Sequence, residues 1–382
     1  MLEIVDGQVH GAQIRDPFPV MVVVPEGVTR IGQDSFFRRK QLASIAFPST
    51  LQSIGCNAFN HCAELRSTEF PSLLSSIDNY AFHGCTELML TKFPESLRRI
   101  GIGAFSCCEG LTSVTLSGSI IPVLEDSVFS NCINLTAVAL PDTVCRIKAR
   151  AFSNCKKLAY VKFPKSLKRI GNFAFHECTS LSSIKLPHGL TTIAPNAFSS
   201  CSELTYLELP DTVTKFDYAF YRCSSLVSVK FPSNLTTIGS NAFCRCSSLI
   251  SIALPETLTS LSPRAFYGCS SLTSVTLPQK LTQVGKKAFY ECTGLTSVAY
   301  APRASTAFIV WALGKSCNRA NWMVTTLKNS RNLLILITNF AFEPARDITS
   351  VDPDGRKQVF KGCHKLDKKL TNQVYYESLY RW

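Results

Sequence analysis

The sequence predicts an α/β solenoid of about twelve units, each about 23 residues long and made of a strand, a turn and a short helix, with a capping segment at either end. Three observations support this prediction: a phenylalanine that recurs at a nearly constant interval, other residue types that keep fixed distances from it, and a short alternation of apolar and polar residues in each unit. Nine of the eleven intervals are 23 residues, one is 24 and one is 22. The recurring residues are Phe36, Phe59, Phe82, Phe105, Phe129, Phe152, Phe175, Phe198, Phe220, Phe243, Phe266 and Phe289.

Each part of the repeat has a physical role. The consensus reads L-x-x-I-G-x-x-A-F-x-x-C-x-x-L-x-x-V-x-L-P-x-x. The V-x-L segment alternates as a half-buried strand does, and the proline after it ends the strand because proline has no N–H for the ladder. Phe, Cys and Leu follow at intervals of three residues, which predicts one or two helical turns facing the core. The glycine before this turn predicts a bend that needs a permissive backbone. One unit cannot bury its own apolar face, whereas stacked units can.

The chain that carries this pattern resembles the BspA-type leucine-rich repeat family over about residues 20–300. Eleven successive units have the Ala-Phe-x-x-Cys motif or a close variant, which makes the resemblance specific. The asparagine column of other leucine-rich repeats is missing and a proline is prominent instead. The resemblance implies an α/β leucine-rich-repeat solenoid with its strands on one face. It also implies adhesion or protein binding as the function, and it supplies no catalytic residue.

The repeat pattern divides the chain into four segments. Residues 1–24 contain no complete unit, and the apolar run at their end predicts a capping strand. The repeats occupy residues 25–300. Residues 301–347 interrupt the pattern and are predicted to form a helical insertion that serves as a cap or as a separate module. Residues 348–382 contain a degenerate terminal repeat and a tail.

The cysteines follow the repeat as well. Of the 17 cysteines, eleven lie three residues after a repeat phenylalanine, and Cys363 occupies the same position in the terminal repeat. A small apolar side chain suits such a core position. The odd number of cysteines also favours reduced thiols over a ladder of disulfides, which the spacing of stacked units alone leaves open.

The sequence contains no recognisable pattern of catalytic, cofactor-binding or metal-ligating residues. The six histidines lie in unrelated registers, and there is no phosphate-binding loop, nucleophile elbow or zinc-ligand spacing. We therefore expect no enzyme activity, no cofactor and no metal site. The first residues lack the charge and apolar pattern of a secretory signal, and no segment approaches the ~20 apolar residues of a membrane span. These features favour a cytoplasmic or nuclear location over a secreted one.

A partner-binding face is predicted on the strands. If the residues nine and eleven positions after each phenylalanine point into the core, those eight and ten positions after it point outward. The outward positions hold mostly serine, alanine and threonine, but they change in the middle units. There they hold Tyr160, Lys162, Lys185, Tyr206, Glu208 and Lys230. Because tyrosine and basic residues are common interface anchors, these residues are the predicted site for a protein partner with acidic groups. The alternative is a solvated strand face without a partner.

The charge distribution keeps two further functions open. The net charge of +13 is made up of −2 in residues 1–150, +8 in residues 151–300 and +7 in residues 301–382. The favoured function is a non-enzymatic, monomeric interaction scaffold inside the cell. A cell-surface or secreted adhesin is the first alternative, since the family resemblance allows it. A basic nucleic-acid-binding protein is the second, although the basic residues show no interleaved aromatics and no nucleic-acid-binding motif.

Overall fold

The computed structural model describes residues 2–12, 20–89, 92–116 and 120–300. The predicted segments 301–347 and 348–382 lie outside the described residues, as does Cys363. Within the described ranges, each unit contributes one coil of a solenoid. In most units the coil consists of a strand, a second strand of two residues and a series of tight turns, and each part stacks on its counterpart in the next coil. The predicted stack of about twelve strand-and-turn units is confirmed.

The strands, numbered along the chain, form an N-terminal hairpin and two stacked faces. The hairpin joins β1 (Leu2–Val5) and β2 (Gln8–Ala12), which pair antiparallel. The V-x-L segments form the first face, called the strand face: β3 (Val20–Val23), β5 (Leu42–Ala46), β9 (Ser113–Thr115), β11 (Ala137–Ala139), β13 (Tyr160–Lys162), β16 (Tyr206–Glu208), β17 (Ser228–Lys230), β19 (Ser251–Ile252), β21 (Ser274–Leu277) and β23 (Ser297–Tyr300). Two-residue strands before the repeat glycine form the second face: β4 (Arg30–Ile31), β6 (Ser53–Ile54), β7 (Ser76–Ile77), β8 (Arg99–Ile100), β10 (Val123–Leu124), β12 (Arg146–Ile147), β14 (Arg169–Ile170), β15 (Thr192–Ile193), β18 (Thr237–Ile238), β20 (Ser260–Leu261) and β22 (Gln283–Val284).

The strands of neighbouring coils pair in parallel and in the register of the repeat. On the strand face, Val138 lies opposite Val114 of β9 and Val161 of β13. These three valines are buried, whereas Tyr160 and Lys162 on either side of Val161 are exposed. The alternation that the sequence predicts for the V-x-L segment is therefore the alternation of a half-buried strand. The N-terminal hairpin continues the second face, because β2 pairs in parallel with β4.

A continuous column of stacked phenylalanines forms the centre of the core. The twelve repeat phenylalanines run from Phe36 to Phe289, and neighbouring rings are 4.9–5.7 Å apart between centroids and 3–14° from parallel. All twelve side chains are buried. Offset stacking of this kind adds to the burial of ring area, so each ring stabilises the coil on either side of it.

The repeat cysteines form a second column beside the phenylalanines. Each of the eleven thiols donates a hydrogen bond to the carbonyl oxygen of the repeat phenylalanine in the preceding coil, at 3.0–3.3 Å between sulfur and oxygen. All described cysteines are free thiols. Cysteine suits this position because it is small and apolar and carries a weak donor.

The predicted short helix is wrong: the described residues contain strands and turns but no helix. In every coil the residues two before and two after the repeat phenylalanine have positive φ, as Phe173 (57°) and Glu177 (58°) do around Phe175. Two left-handed residues, four positions apart in each coil, prevent the segment between them from forming an α-helix. The amide of Phe175 instead donates to the carbonyl of Ala197 in the next coil at 2.7 Å, so these turns form their own ladder between coils.

The repeat glycine is needed for close approach rather than for an unusual φ. A Cβ on Gly171 would lie 2.6 Å from the backbone carbonyl carbon of Lys148 in the preceding coil. Backbone atoms cannot yield at that distance, so glycine lets two neighbouring coils come into contact here.

Candidate interaction surface

The structure brings the six sequence-predicted residues to one side of the solenoid, the outward side of the strand face. All six side chains are exposed. They belong to four neighbouring coils, and five of them lie on the strands β13, β16 and β17; Lys185 lies in the coil between β13 and β16, outside a strand. We call this group the strand-face patch: Tyr160, Lys162, Lys185, Tyr206, Glu208 and Lys230.

The two tyrosines are the large exposed side chains of the patch. Tyr160 is 57% exposed and Tyr206 is 45% exposed. Each ring therefore leaves a large apolar area in contact with solvent, an area that a protein core would normally bury. Ser183, in the coil between them, pairs with Tyr206 through a parallel bridge. Because adjacent strands are ~4.8 Å apart, the two tyrosine backbones are separated by roughly 10 Å, with a small side chain between them. The tyrosines therefore border a shallow gap on the strand face.

An ion pair lies at one end of the patch. Glu208 and Lys230 are partners across β16 and β17, and the Lys230 Nζ lies 2.7 Å from the Glu208 Oε1. The hydrogen bond and the charge of Lys230 lower the pKa of Glu208, and the same contacts raise the pKa of Lys230. Both side chains stay ionised at neutral pH and offset one another.

The other lysines of the patch lack such a partner. Neither Lys162 nor Lys185 forms an ion pair within the part of the chain that the structure describes. Lys185 and His188 are near enough to Glu208 to contribute to the lowering of its pKa. The patch thus presents two tyrosine rings beside a net positive charge, a surface that favours carboxylate groups on a partner.

Two histidine–serine pairs elsewhere could be mistaken for catalytic pairs. His83 Nδ1 lies 2.6 Å from Ser106 Oγ, and His176 Nδ1 lies 2.7 Å from Ser199 Oγ. Ser106, however, donates its proton to the carbonyl of Gly103, and its hydroxyl oxygen is left to accept from the imidazole. A serine activated by histidine needs the opposite direction of donation. These pairs therefore join neighbouring coils.

Among the described residues, no cluster of three or more His, Cys, Asp or Glu side chains is placed to bind a metal ion. In the same part of the chain, no helix is long and apolar enough to cross a membrane.

A second group of residues lies on the turns and was not part of the sequence-predicted site. It comprises three exposed arginines and two half-buried tyrosines, one or two positions from the repeat phenylalanines of the coils around Phe220, Phe243 and Phe266. We call it the turn-face patch: Tyr221, Arg222, Arg245, Arg264 and Tyr267. The signal was present in the sequence, since each of these three successive coils carries an arginine two positions from its phenylalanine. The expectation that the basic residues lack interleaved aromatics is wrong at this place.

The repeat that carries the Phe, Cys and Leu columns matches a known protein family. The model of the BspA type leucine rich repeat region matches residues 20–132, 122–218 and 216–309. The chain belongs to this family. The BspA-type repeats account for the described coils, and the expected resemblance is confirmed. No curated protein matches the chain in sequence.

Solved structures of leucine-rich repeat proteins share the fold. A leucine-rich repeat protein from Bacteroides ovatus ATCC 8483 is 25% identical, with a TM-score of 0.58, and the match covers 86% of this BspA-type chain and 98% of that chain. A leucine rich cell surface protein from Faecalibacterium prausnitzii A2-165 is 26% identical, with a TM-score of 0.51, covering 84% of this chain and 99% of that chain.

Proposed function

We propose that this BspA-type protein is a non-enzymatic interaction module that binds a protein partner through the strand-face patch and acts at the cell surface. The observation that carries the proposal is the exposure of Tyr160 and Tyr206 on a face whose other outward positions are mostly serine, alanine and threonine. Tyrosine rings provide rigid apolar area with a polar tip, which makes them frequent anchors of protein interfaces. The unpaired Lys162 and Lys185 favour a partner with acidic groups.

The location at the cell surface is supported by the similarity to a leucine rich cell surface protein. The reduced cysteines, which favoured an intracellular location in the sequence, do not oppose it. The repeat thiols are buried, and burial raises the pKa of Cys155 and of Cys223 to about 12. Oxidation needs an exposed thiolate, so these thiols stay reduced in an oxidising environment as well.

The patch can be tested by crosslinking followed by a binding measurement. A photoreactive phenylalanine analogue placed at position 160 is expected to crosslink the partner on intact cells, whereas the same analogue at Ser113, which has the same place in another coil, is not. Tyr160→Ser with Tyr206→Ser is then expected to abolish binding of the crosslinked protein, because two interface tyrosines contribute on the order of 2–4 kcal/mol together.

The control is the double variant Ser251→Ala and Ser274→Ala, which alters the same column in coils outside the patch. It is expected to bind as the unchanged protein does, and both double variants are expected to keep the far-UV circular dichroism of the unchanged protein. Full binding by the tyrosine double variant, with its fold intact, would show that the strand-face patch is not the site.

The location is tested separately. A biotin reagent that cannot cross membranes is expected to label the exposed lysines of this protein on intact cells. Labelling only after lysis would favour the intracellular scaffold. Binding that falls steeply with salt and is competed by an oligonucleotide would favour the nucleic-acid-binding alternative. The monomeric state stays a prediction, which light scattering of the full chain tests.

A further inference from the structure

We propose that the turn-face patch is a second interaction surface, which binds an extended acidic segment of a polypeptide. This inference goes beyond the proposed function, because the patch lies on the turns rather than on the strand face and does not depend on the strand-face patch. Three exposed arginines, two tyrosine rings and one carboxylate at the end of the patch support this function.

The arginines come from two columns of the repeat and lie on three successive coils. Arg222 and Arg245 lie two positions after the phenylalanines of neighbouring coils, and Arg264 lies two positions before the phenylalanine of the third. The amide of Arg222 donates to the carbonyl of Cys244 at 2.8 Å, and the amide of Arg245 donates to the carbonyl of Tyr267 at 2.6 Å, so the three coils are joined directly at the patch. All three arginine side chains are exposed; burial raises the pKa of the Cys244 thiol to about 11, and the three arginine charges oppose that rise in part. None of them forms an ion pair with a described residue.

Such a cluster has an electrostatic cost when no anion is bound. Three exposed guanidinium groups on successive coils repel one another, and no carboxylate of the described residues forms an ion pair with them. An anionic ligand removes the repulsion and can be held by the planar donors of each guanidinium. The cluster is therefore a site for an anion.

The tyrosine rings contact the arginines and thereby orient them. Arg222 lies over the ring of Tyr221, 5.2 Å from its centroid, and Arg264 lies over the ring of Tyr267 at 5.9 Å. Tyr267 also stacks on Tyr290, with centroids 5.4 Å apart and an interplanar angle of 21°. Because Arg222 covers one face of Tyr221, and Arg264 and Tyr290 contact the ring of Tyr267, these rings leave less free area for nucleobases than the aromatics of single-strand-binding proteins do. This occupancy favours an acidic polypeptide over a nucleic acid.

A carboxylate already binds at the edge of the patch. The hydroxyl of Tyr267 donates a hydrogen bond to the carboxylate of Glu291, which raises the pKa of Tyr267, and the charge of Arg245 opposes that rise in part. Tyr267 thus shows that a carboxylate fits at this end of the patch. The three arginine-bearing coils span roughly 10 Å, and an extended peptide rises ~3.4 Å per residue, so a short run of Asp and Glu places carboxylates along the whole cluster.

The test measures the binding of a fluorescein-labelled oligoglutamate peptide to the full chain by fluorescence anisotropy. The triple variant Arg222→Gln, Arg245→Gln and Arg264→Gln is expected to weaken binding about tenfold, since each exposed charge pair contributes a modest amount. The control triple variant Lys156→Gln, Lys157→Gln and Lys165→Gln removes the same charge from another exposed region and is expected to change the affinity by less than about twofold. Arg245→Gln alone is expected to act in the same direction as the arginine triple variant.

Three results would overturn the proposal. Equal losses in the two triple variants would mean that the peptide responds only to net charge. Wild-type affinity in both the arginine triple variant and Arg245→Gln would mean that the patch is not the site. Tighter binding of oligothymidylate or of a sulfated polysaccharide than of oligoglutamate, lost in the arginine variant, would assign the patch to another class of polyanion. Thermal melts of each variant establish that the solenoid is folded, so a binding loss cannot come from unfolding.

Discussion

At the scale of the residue, the repeat depends on two side chains that contact the neighbouring coils. Each repeat phenylalanine stacks on the one before and the one after, and each repeat thiol bonds to a phenylalanine carbonyl one coil away. Neither contact lies within a single unit. Each of these side chains also forms part of the surroundings of the same position in the adjacent coils. For this reason the same residue types recur from coil to coil.

Truncating one ring in the middle of the column is expected to be costly. Phe175 is fully buried and lies 5.2 Å from Phe152 and 5.2 Å from Phe198 between ring centroids. Phe175→Ala should lower the free energy of unfolding by about 3–5 kcal/mol, because it leaves a cavity and removes two stacking contacts. Urea denaturation followed by circular dichroism measures this change. A loss below ~1 kcal/mol would contradict the core position of Phe175.

The thiols are expected to divide into two classes of reactivity. Burial raises the pKa of the Cys178 thiol, and it raises the pKa of Cys155 to about 12, so at pH 8 the thiolate fraction of Cys155 is on the order of 10⁻⁴. Cys145 is half-buried and close to the surface. Iodoacetamide labelling of the native protein, mapped by mass spectrometry, should modify Cys145 and spare Cys155 and Cys178. Raising the pH toward the pKa increases the thiolate fraction, but the repeat cysteines should react fully only after denaturation.

At the scale of the element, the turn replaces the helix that the spacing of Phe, Cys and Leu predicts. A spacing of three residues fits a helix, and it also fits consecutive tight turns with a left-handed residue between them. The residues that favour positive φ were visible in the sequence, since Asn57, Asn196 and Asn241 precede their phenylalanines by two positions. These three asparagines, rather than the apolar spacing, indicate the turn, but the other nine coils carry other residue types at this position.

Ser200 allows this turn to be tested. Its φ is +61°, and its amide donates to the carbonyl of Tyr221 in the next coil at 2.7 Å. Ser200→Val should destabilise the protein by about 1–3 kcal/mol, because a β-branched residue is strained at positive φ. Ser200→Asn is the matched control and should be nearly neutral, since asparagine tolerates this conformation. Thermal melts of the two variants compare them; equal melting temperatures would contradict the turn.

At the scale of the whole molecule, a stack of coils has two ends whose apolar faces must be covered. At the N-terminal end the hairpin of β1 and β2 covers the first short strand by pairing with β4. The sequence predicts that residues 301–382 cover the other end. Solenoid proteins need such caps to stay soluble.

Deletion of residues 301–382 is therefore expected to cause aggregation. The truncated chain would end beside β23 and expose the apolar side of the coil around Phe289. Size-exclusion chromatography and light scattering of the 1–300 fragment measure the outcome. A soluble monomer with the melting profile of the full chain would show instead that the C-terminal segment is a separate module.

The sequence by itself determined the repeat, its length, the buried columns and the outward columns of the strands. It could do so because a residue's burial in a solenoid depends on its position in the repeat and hardly on the rest of the chain. Phe175, Cys178 and Val161 are buried, and Tyr160 and Lys162 are exposed, as their columns predict. The strand-face patch could be assembled from the sequence for the same reason.

Only the tertiary structure decided which charges are paired and which are not. Glu208 and Lys230 occupy one column in adjacent coils, and the parallel register brings their side chains together into an ion pair. Arg222 and Arg264 occupy different columns, yet each lies over a tyrosine ring on the turns, that of Tyr221 or of Tyr267. Long charged side chains reach across columns and coils, so their partners depend on the path of the turns. Positive φ values two residues from each phenylalanine set that path, and a pattern of apolar residues does not specify them.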